Sequence, residues 1–490
     1  MSLSLAGIGL IASGCGGPSE LDIPLQAASE VGQPAGWADQ LALATPVDID
    51  PDPAIVEIEL EARIEQIEIV PGTLTPVWTY NGSLPGPLIR VNVGDTVIVH
   101  FRNALPDATS IHWHGLRLPN DMDGVPGVTQ PPVEPGGEFR YEFVARDAGT
   151  YWYHPHIDSA AQVGWGLYGP IVVEDPADPA TFGDDLVLLL SDISLDDDGQ
   201  FLPADHGGEF GDLFGREGAI LLVNGKVMPT LKLRAGKPQR WRVINAARAR
   251  YYTIGLRDHT LIKLGGDNGL AERSDQTYRV TLVPGERADI VFTPSSEPGT
   301  TETFQWIPTQ RGFGSLYNRP REPMMTLETV DEPPVAPAPV PLQLRTIEPI
   351  DIAGAIERTL AMTIDTRPAR NGNEVVMGIN GIPFWESDPM IASIGQTQVW
   401  TLVNDTAFAH PFHLHGYFFQ VLDESRIREW KDTVDVPANS SLRIAIRFDE
   451  RPGVWMFHCH ILDHADSGMM GHLFVGEDAS ATPPAVELMH

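Results

Sequence analysis

Runs in which apolar and polar residues alternate recur along this chain. Ile55 to Ile69 contains Ile58-Glu59-Leu60-Glu61. Val91, Val93, Val97, Val99 and Phe101 continue the pattern around a Gly94-Asp95 turn, and Phe139, Tyr141 and Phe143 alternate with Arg140 and Glu142. Trp241 to Ile244 and Leu442 to Phe448 read the same way. Successive side chains of a strand point to opposite faces, so this period marks strands with one buried face. No long stretch carries the helical period, and the chain is predicted to fold as several all-β sandwiches. Asp175-Pro176-Ala177-Asp178-Pro179 closes a first block, and the Pro-rich residues 331–341 form a stiff, extended linker before a third. The predicted domains are 51–175, 180–330 and 345–476. Residues 1–50 read as an apolar leader followed by a linker, and 477–490 as a flexible tail.

Composition narrows the functions available. The 490-residue length suits about three domains. Lys and Arg total 33 against 66 Asp and Glu, a net charge of −33 that repels phosphate backbones and excludes nucleic acid as a partner. The two cysteines, Cys15 and Cys459, do not make a disulfide scaffold. Residues 2–14 are small and apolar, too short to span a membrane and suited to an export signal. Ala12-Ser13-Gly14-Cys15 resembles a bacterial lipobox, making Cys15 a candidate lipid anchor. It departs from that pattern in having Ala12 where Leu is usual and no basic residue before Arg63. The expected product is an exported monomer, periplasmic or at the cell surface.

Histidine placement changes the picture most. Ten of the fifteen histidines fall in four short stretches: His112/His114, His154/His156, His410/His413/His415 and His458/His460/His464. On a strand, residues two apart share a face. His112 and His114 can therefore reach one site, as can His154 and His156. In Phe457-His458-Cys459-His460 the two histidines face one way and Cys459 the other. A metal on Cys459 would then lie behind metals on its neighbours, separated by a few covalent bonds. Cys459 with His464 and Met469 reads as a blue-copper set, thiolate plus imidazole plus weak thioether, with His410 the leading candidate for the second imidazole. Eight histidines without carboxylates remain, a set that suits copper or zinc, and only copper has a use for the electron.

These motifs resemble those of the multicopper oxidases, the family of laccases and bacterial cuprous oxidases. They are His112-Trp113-His114-Gly115, Tyr153-His154-Pro155-His156, His410-Pro411-Phe412-His413-Leu414-His415-Gly416, and His458-Cys459-His460-Ile461-Leu462-Asp463-His464 followed by Met469. The resemblance implies three cupredoxin-like Greek-key β-sandwich domains and four coppers. It assigns His410, Cys459 and His464 to a type 1 copper with Met469 axial, and His112 and His413 to a type 2 copper. The type 3 pair would take His114, His154, His156, His415, His458 and His460. The middle block supplies no motif and, including its Gly265-Gly266-Asp267, is expected to be mainly structural.

The implied reaction takes single electrons at type 1 copper and reduces O2 to two waters at the trinuclear cluster. Protons must reach that cluster. Asp123 matches a first-domain carboxylate that bacterial relatives use this way. Relatives often carry Glu directly after the last type 1 histidine, where this chain has Ala465, leaving Asp463 or Asp466 as substitutes. Met362, Met377 and Met390 are scattered, unlike a copper-efflux insertion. Phenolic or aromatic donors are therefore expected ahead of Cu(I). A copper nitrite reductase would not need eight cluster histidines, and an electron carrier or a copper-free structural relative would not need the full set.

Overall fold

The computed structural model describes residues 41–486, apart from 177, 179–183, 258, 313–318, 337–338, 370–371, 425 and 479. The candidate lipid-anchor Cys15 and its apolar leader lie outside the described residues. The first alternating run is one strand, Ile55–Val70, that buries Ile58, Leu60, Ala62 and Ile69. It pairs antiparallel with Thr73–Tyr80 and parallel with Thr96–Asn103. This arrangement recurs twice. Asp184–Ile193 pairs antiparallel with Ile220–Val223 and parallel with Gln239–Asn245. Ile356–Ala369 pairs antiparallel with Gly372–Ile379 and parallel with Thr397–Asn404. Each unit adds a second sheet, also containing one parallel pair, such as Ile89–Asn92 with Gly169–Glu174 or Met390–Ser393 with Met470–Gly476. Parallel neighbours require crossovers, and the result is three cupredoxin-like Greek-key sandwiches.

Packing between the units positions the histidines. One continuous apolar core joins first-unit residues (Trp113, Tyr141, Tyr153) to third-unit residues (Trp400, Phe412, Phe457), with Tyr251 and Val283 of the middle unit. The first and third units therefore meet face to face. The middle unit has its own core around Trp241 and Trp306 and shares a second one with the first unit through Trp152, Val187 and Ile244. The segment read as linker is partly tied down. Leu41 is buried in the middle core and its carbonyl accepts from Asn224 Nδ2 at 3.0 Å, because an apolar side chain at that point gains by leaving water. Met324 and Met325 are likewise middle-unit core.

Candidate metal centre

Strand register delivers the ligands. His112–His114 pairs with Gly149–His154 so that His112 stands opposite His154. In the third unit His410–Leu414 pairs with Gly453–Cys459, putting His413 opposite His458 and Phe412 opposite Cys459. Directly opposed residues project from the same face. The imidazoles thus collect between the first and third units, while the Cys459 side chain turns back into the third. Across that interface the His112 and His415 rings stack at 3.9 Å and the His114 and His413 rings at 3.8 Å.

Four groups account for every candidate histidine and Cys459. His410, Cys459 and His464 form one; His156, His415 and His458 a second; His114, His154 and His460 a third; His112, His114 and His413 a fourth. Within each, one ligand atom per residue lies within 4.8 Å of the others. The sequence left the six type 3 candidates as one set, and the tertiary structure divides them into two triples. Met469 is fully buried beside the Cys459 group: its N–H donates to His464 and its carbonyl accepts from Cys459 N, at 2.9 and 3.0 Å.

The ring nitrogens show how well this donor set suits metal. His112 donates Nδ1–H to the Asp123 carbonyl at 2.7 Å, His154 to Pro155 O at 2.8 Å and His458 to Cys459 O at 2.9 Å. These bonds fix the tautomer and leave a bare lone pair on the opposite nitrogen. The inward atoms His112 Nε2, His114 Nδ1, His154 Nε2, His413 Nε2 and both nitrogens of His460 are buried with no hydrogen-bond partner. Unpartnered buried polar atoms are costly, and here they converge. His415 Nε2 and His458 Nε2 stand 3.2 Å apart, as His410 Nδ1 and His464 Nδ1 do at 3.1 Å. Two lone pairs so close repel unless a cation lies between them. The residues fit copper, with soft sulfur and imidazole in one group and imidazole alone in the others.

Electrostatics point the same way. Burial, reinforced by the neighbouring imidazoles, holds His114, His154, His156, His415 and His460 well below the usual histidine range. His458 and His464 are pushed down to about 3, in both cases chiefly by burial. All are neutral at pH 7, the ligand form. Burial pushes the Cys459 thiol up, so only a bound cation would hold it as thiolate.

Asp123 lies at the cluster, its carboxylate accepting from His415 Nδ1 at 2.8 Å. Asp463 and Asp466 do not. Asp463 is locked to Arg216 and Arg248 of the middle unit, and Asp466 accepts Ala160 N–H at 2.8 Å. Among the described residues neither carboxylate hydrogen-bonds a cluster histidine. The middle unit, expected to be mainly structural, supports the site from behind. Leu213 O accepts from His464 Nε2 at 3.1 Å, closing the outer edge of that ring, and the Asp267 carboxylate, which accepts the backbone N–H groups of Arg287 and Asp432, stands behind the cluster with Arg287. Thr406 Oγ1 holds His410 Nε2 at 2.9 Å. No periodicity or spacing marks Leu213, Arg287, Asp432 or Thr433, because their partners are distant in sequence.

Gly285, also from the middle unit, has φ of +84°, and a Cβ there would stand 2.8 Å from His460 Cδ2 and 3.0 Å from His114 Cε1. Gly285→Ala is expected to destabilise the fold by about 1–3 kcal/mol and to displace copper from the cluster. Thermal unfolding and copper analysis read both effects; an alanine variant with full copper content would contradict this packing account.

Comparison with known proteins agrees with this geometry. Three family profiles, each described as multicopper oxidase, match residues 61–178, 187–304 and 357–479. The chain is 30% identical to the multicopper oxidase MmcO of Mycobacterium tuberculosis, covering 82% of this chain and 84% of that one. It is 27% identical to a laccase of Bacillus subtilis over 87% and 95% of the two chains. A multicopper oxidase from Campylobacter jejuni, described as a metallo-oxidase, superposes with a TM-score of 0.80 at 28% identity, covering 89% of this chain and 94% of its own. One from Pseudomonas thermotolerans gives 0.74 at 34% identity, covering 86% and 99%. Buried, convergent imidazoles, two of them against the Cys459 thiol, and matches along all three units lead to one conclusion: the chain belongs to the multicopper oxidase family.

Proposed function

We propose that His410, Cys459 and His464 hold the type 1 copper with Met469 axial, and that His112 and His413 hold the type 2 copper. His114, His154 and His460 would hold one type 3 copper, and His156, His415 and His458 the other. As a multicopper oxidase the protein uses O2 and a reductant such as a phenol or Cu(I), and the laccase-like reaction is the one the relatives support. When bound, the coppers supply one-electron oxidation of the donor and four-electron reduction of O2 to water. The chain's own residues orient the ligands, exclude water and bring protons. The observation that carries the assignment is the gathering of the four histidine stretches and Cys459 into groups whose ligand atoms lie within 4.8 Å of one another, with the ring nitrogens of His112, His114, His154, His413 and His460 left without a hydrogen-bond partner. Copper analysis with absorption spectroscopy tests it. Four coppers and a blue band are expected; one copper would indicate an electron carrier, and none a structural relative.

Phenolic and aromatic donors are the proposed reductants, with cuprous oxidation for copper tolerance as the second reading. The Leu213 peptide covers the His464 ring edge, and no Met-rich insertion leads to it. Steady-state O2 uptake with a phenol, a dye and Cu(I) decides between them. A Cu(I) rate far above both organic donors would reverse the order.

Asp123 is proposed to bring protons to the cluster, since its carboxylate touches His415 and its carbonyl orients His112. Asp123→Asn keeps the shape but removes the ionisable group. The expected outcome is O2 reduction slower by about a hundredfold, within the range general acids contribute, with the blue band unchanged. Wild-type turnover in that variant would remove Asp123 from this role. We also propose export, a lipid anchor at Cys15 and a monomeric state. Release of Cys15→Ser from the membrane fraction, and the mass by light scattering, are the corresponding measurements.

A further inference from the structure

Arg287 sits in the middle unit, fully buried, with a donor pattern that touches all three units. A guanidinium carries five N–H donors. Nε–H donates to the Thr150 carbonyl of the first unit at 2.9 Å. Nη1 donates to Gly285 O at 3.0 Å and to Asp432 Oδ1 at 2.7 Å. Nη2 donates to Asp267 O at 2.8 Å and to Asp432 Oδ2 at 2.6 Å. Every donor is therefore satisfied, and the third-unit Asp432 is gripped by both arms of the fork. Asp267 completes the frame from the middle unit, its carboxylate accepting the backbone N–H groups of Arg287, Asp432 and Thr433 at 3.0, 3.3 and 3.1 Å.

What Asp432 faces gives this frame a function. Its Oδ1 lies 3.3 Å from His114 Nε2 and 3.5 Å from His413 Nδ1, and it accepts the Thr433 hydroxyl at 2.8 Å. Thr433 Oγ1 lies 3.3 Å from His114 Nε2 and 3.1 Å from His413 Nδ1, and the Asp432 carbonyl accepts from His413 Nδ1 at 3.0 Å. Because the Thr433 proton is committed to Asp432, its oxygen can only accept from the two rings. Both rings must then carry their proton on the side facing Asp432. His114 presents bare Nδ1 inward and His413 presents bare Nε2, the same two atoms that have no other partner.

The geometry points to Arg287 as a positioning residue for the trinuclear site: by clamping Asp432 it fixes the tautomer and ring direction of His114 and His413 together. The inference rests on the copper assignment above and deepens it, since one type 2 and one type 3 ligand are set by a single middle-unit side chain. Gly115, directly after His114, fits this reading. A Cβ there would collide with Arg287 Nη2 and stand 2.7 Å from Asp432 Oδ2, so only glycine at φ +86° lets the clamp pass.

The test compares copper-loaded wild type, Arg287→Gln and Arg287→Lys for copper content and spectra. The blue band of the Cys459 site serves as internal control, because Arg287 makes no bond to that group among the described residues. Second-sphere groups of this kind alter metal retention by about 10–100-fold. Arg287→Gln is expected to keep the blue band, lose cluster copper under mild chelation at least tenfold faster, and change the type 2 electron-spin-resonance signal. Arg287→Lys retains a cation but cannot grip both oxygens, and is expected to keep the blue band with a shifted type 2 signal. If Arg287→Gln does not fold, Arg287→Lys carries the decision. A merely structural role would lower the unfolding temperature and leave the cluster spectra as in wild type; that result overturns the inference. Wild type carrying type 1 copper alone would instead overturn the copper assignment on which the inference rests.

Discussion

Cys459→Ser is expected to abolish the blue colour and to slow donor-dependent O2 uptake by about three orders of magnitude or more, the scale on which removing an indispensable catalytic group acts. Cys459 is fully buried, its sulfur 3.6 Å from both His410 Nδ1 and His464 Nδ1. A serine of nearly the same size keeps the packing but is a hard, poorly ionised donor in place of a soft thiolate. His458 and His460, on either side of Cys459 in sequence, point the opposite way into the cluster groups. The substitution should therefore remove the entry site and spare the cluster, leaving about three coppers where wild type holds four if each site fills independently. Absorption and copper analysis check the first part, and O2 uptake with a phenol the second. A blue, active serine variant would refute the assignment of Cys459 as the electron-entry ligand.

The second large effect is acid sensitivity of the copper-free chain. Burial lowers the folded pKa of His114, His154, His156, His410, His413, His415 and His460, and brings His458 and His464 to about 3. Above about pH 6.5, the unfolded value, both folded and unfolded chains hold these rings neutral and pH has no leverage through them. Below it the unfolded chain takes up protons that the folded one refuses, so stability falls as pH drops from about 6.5 towards 3. Each such histidine removes up to about 1.4 kcal/mol per pH unit. Several acting together are comparable to the about 5–15 kcal/mol that holds a domain folded. Copper opposes unfolding because it binds the folded form, contributing about 4 kcal/mol per site at a thousandfold excess over Kd. Calorimetry at pH 8 and pH 5, with and without chelator, should show the copper-free chain melting at least about 10 °C below the loaded enzyme. It should also unfold first on acidification. Equal melting of the two forms at pH 5 would show that the imidazoles are not poised for metal.

The local part of this molecule is written in its sequence. Alternation in Ile55–Val70 or Glu138–Val144 specifies strands because a half-buried pleat demands it, whatever lies on the other side. Strand parity likewise separates Cys459 from His458 and His460, since neighbouring side chains cannot share a face. The histidine stretches show which residues carry the chemistry for the same reason: ligand type and short spacing are local properties. Partition and support are not local. That His114 and His154 join His460, while His156 joins His415 and His458, depends on how the first and third sheets meet. Asp432 reaches His114 from 318 positions away and Arg287 reaches Asp432 from 145. No pattern within a strand encodes such pairs, because they follow from the packing of three units and the need to satisfy every buried donor. The acid next to the last type 1 histidine shows the same limit: Asp463 looked available in sequence, and the fold commits it to Arg216 and Arg248. The candidate ligands were determined by the sequence; which of them come together, and what holds them still, was decided by the tertiary structure alone.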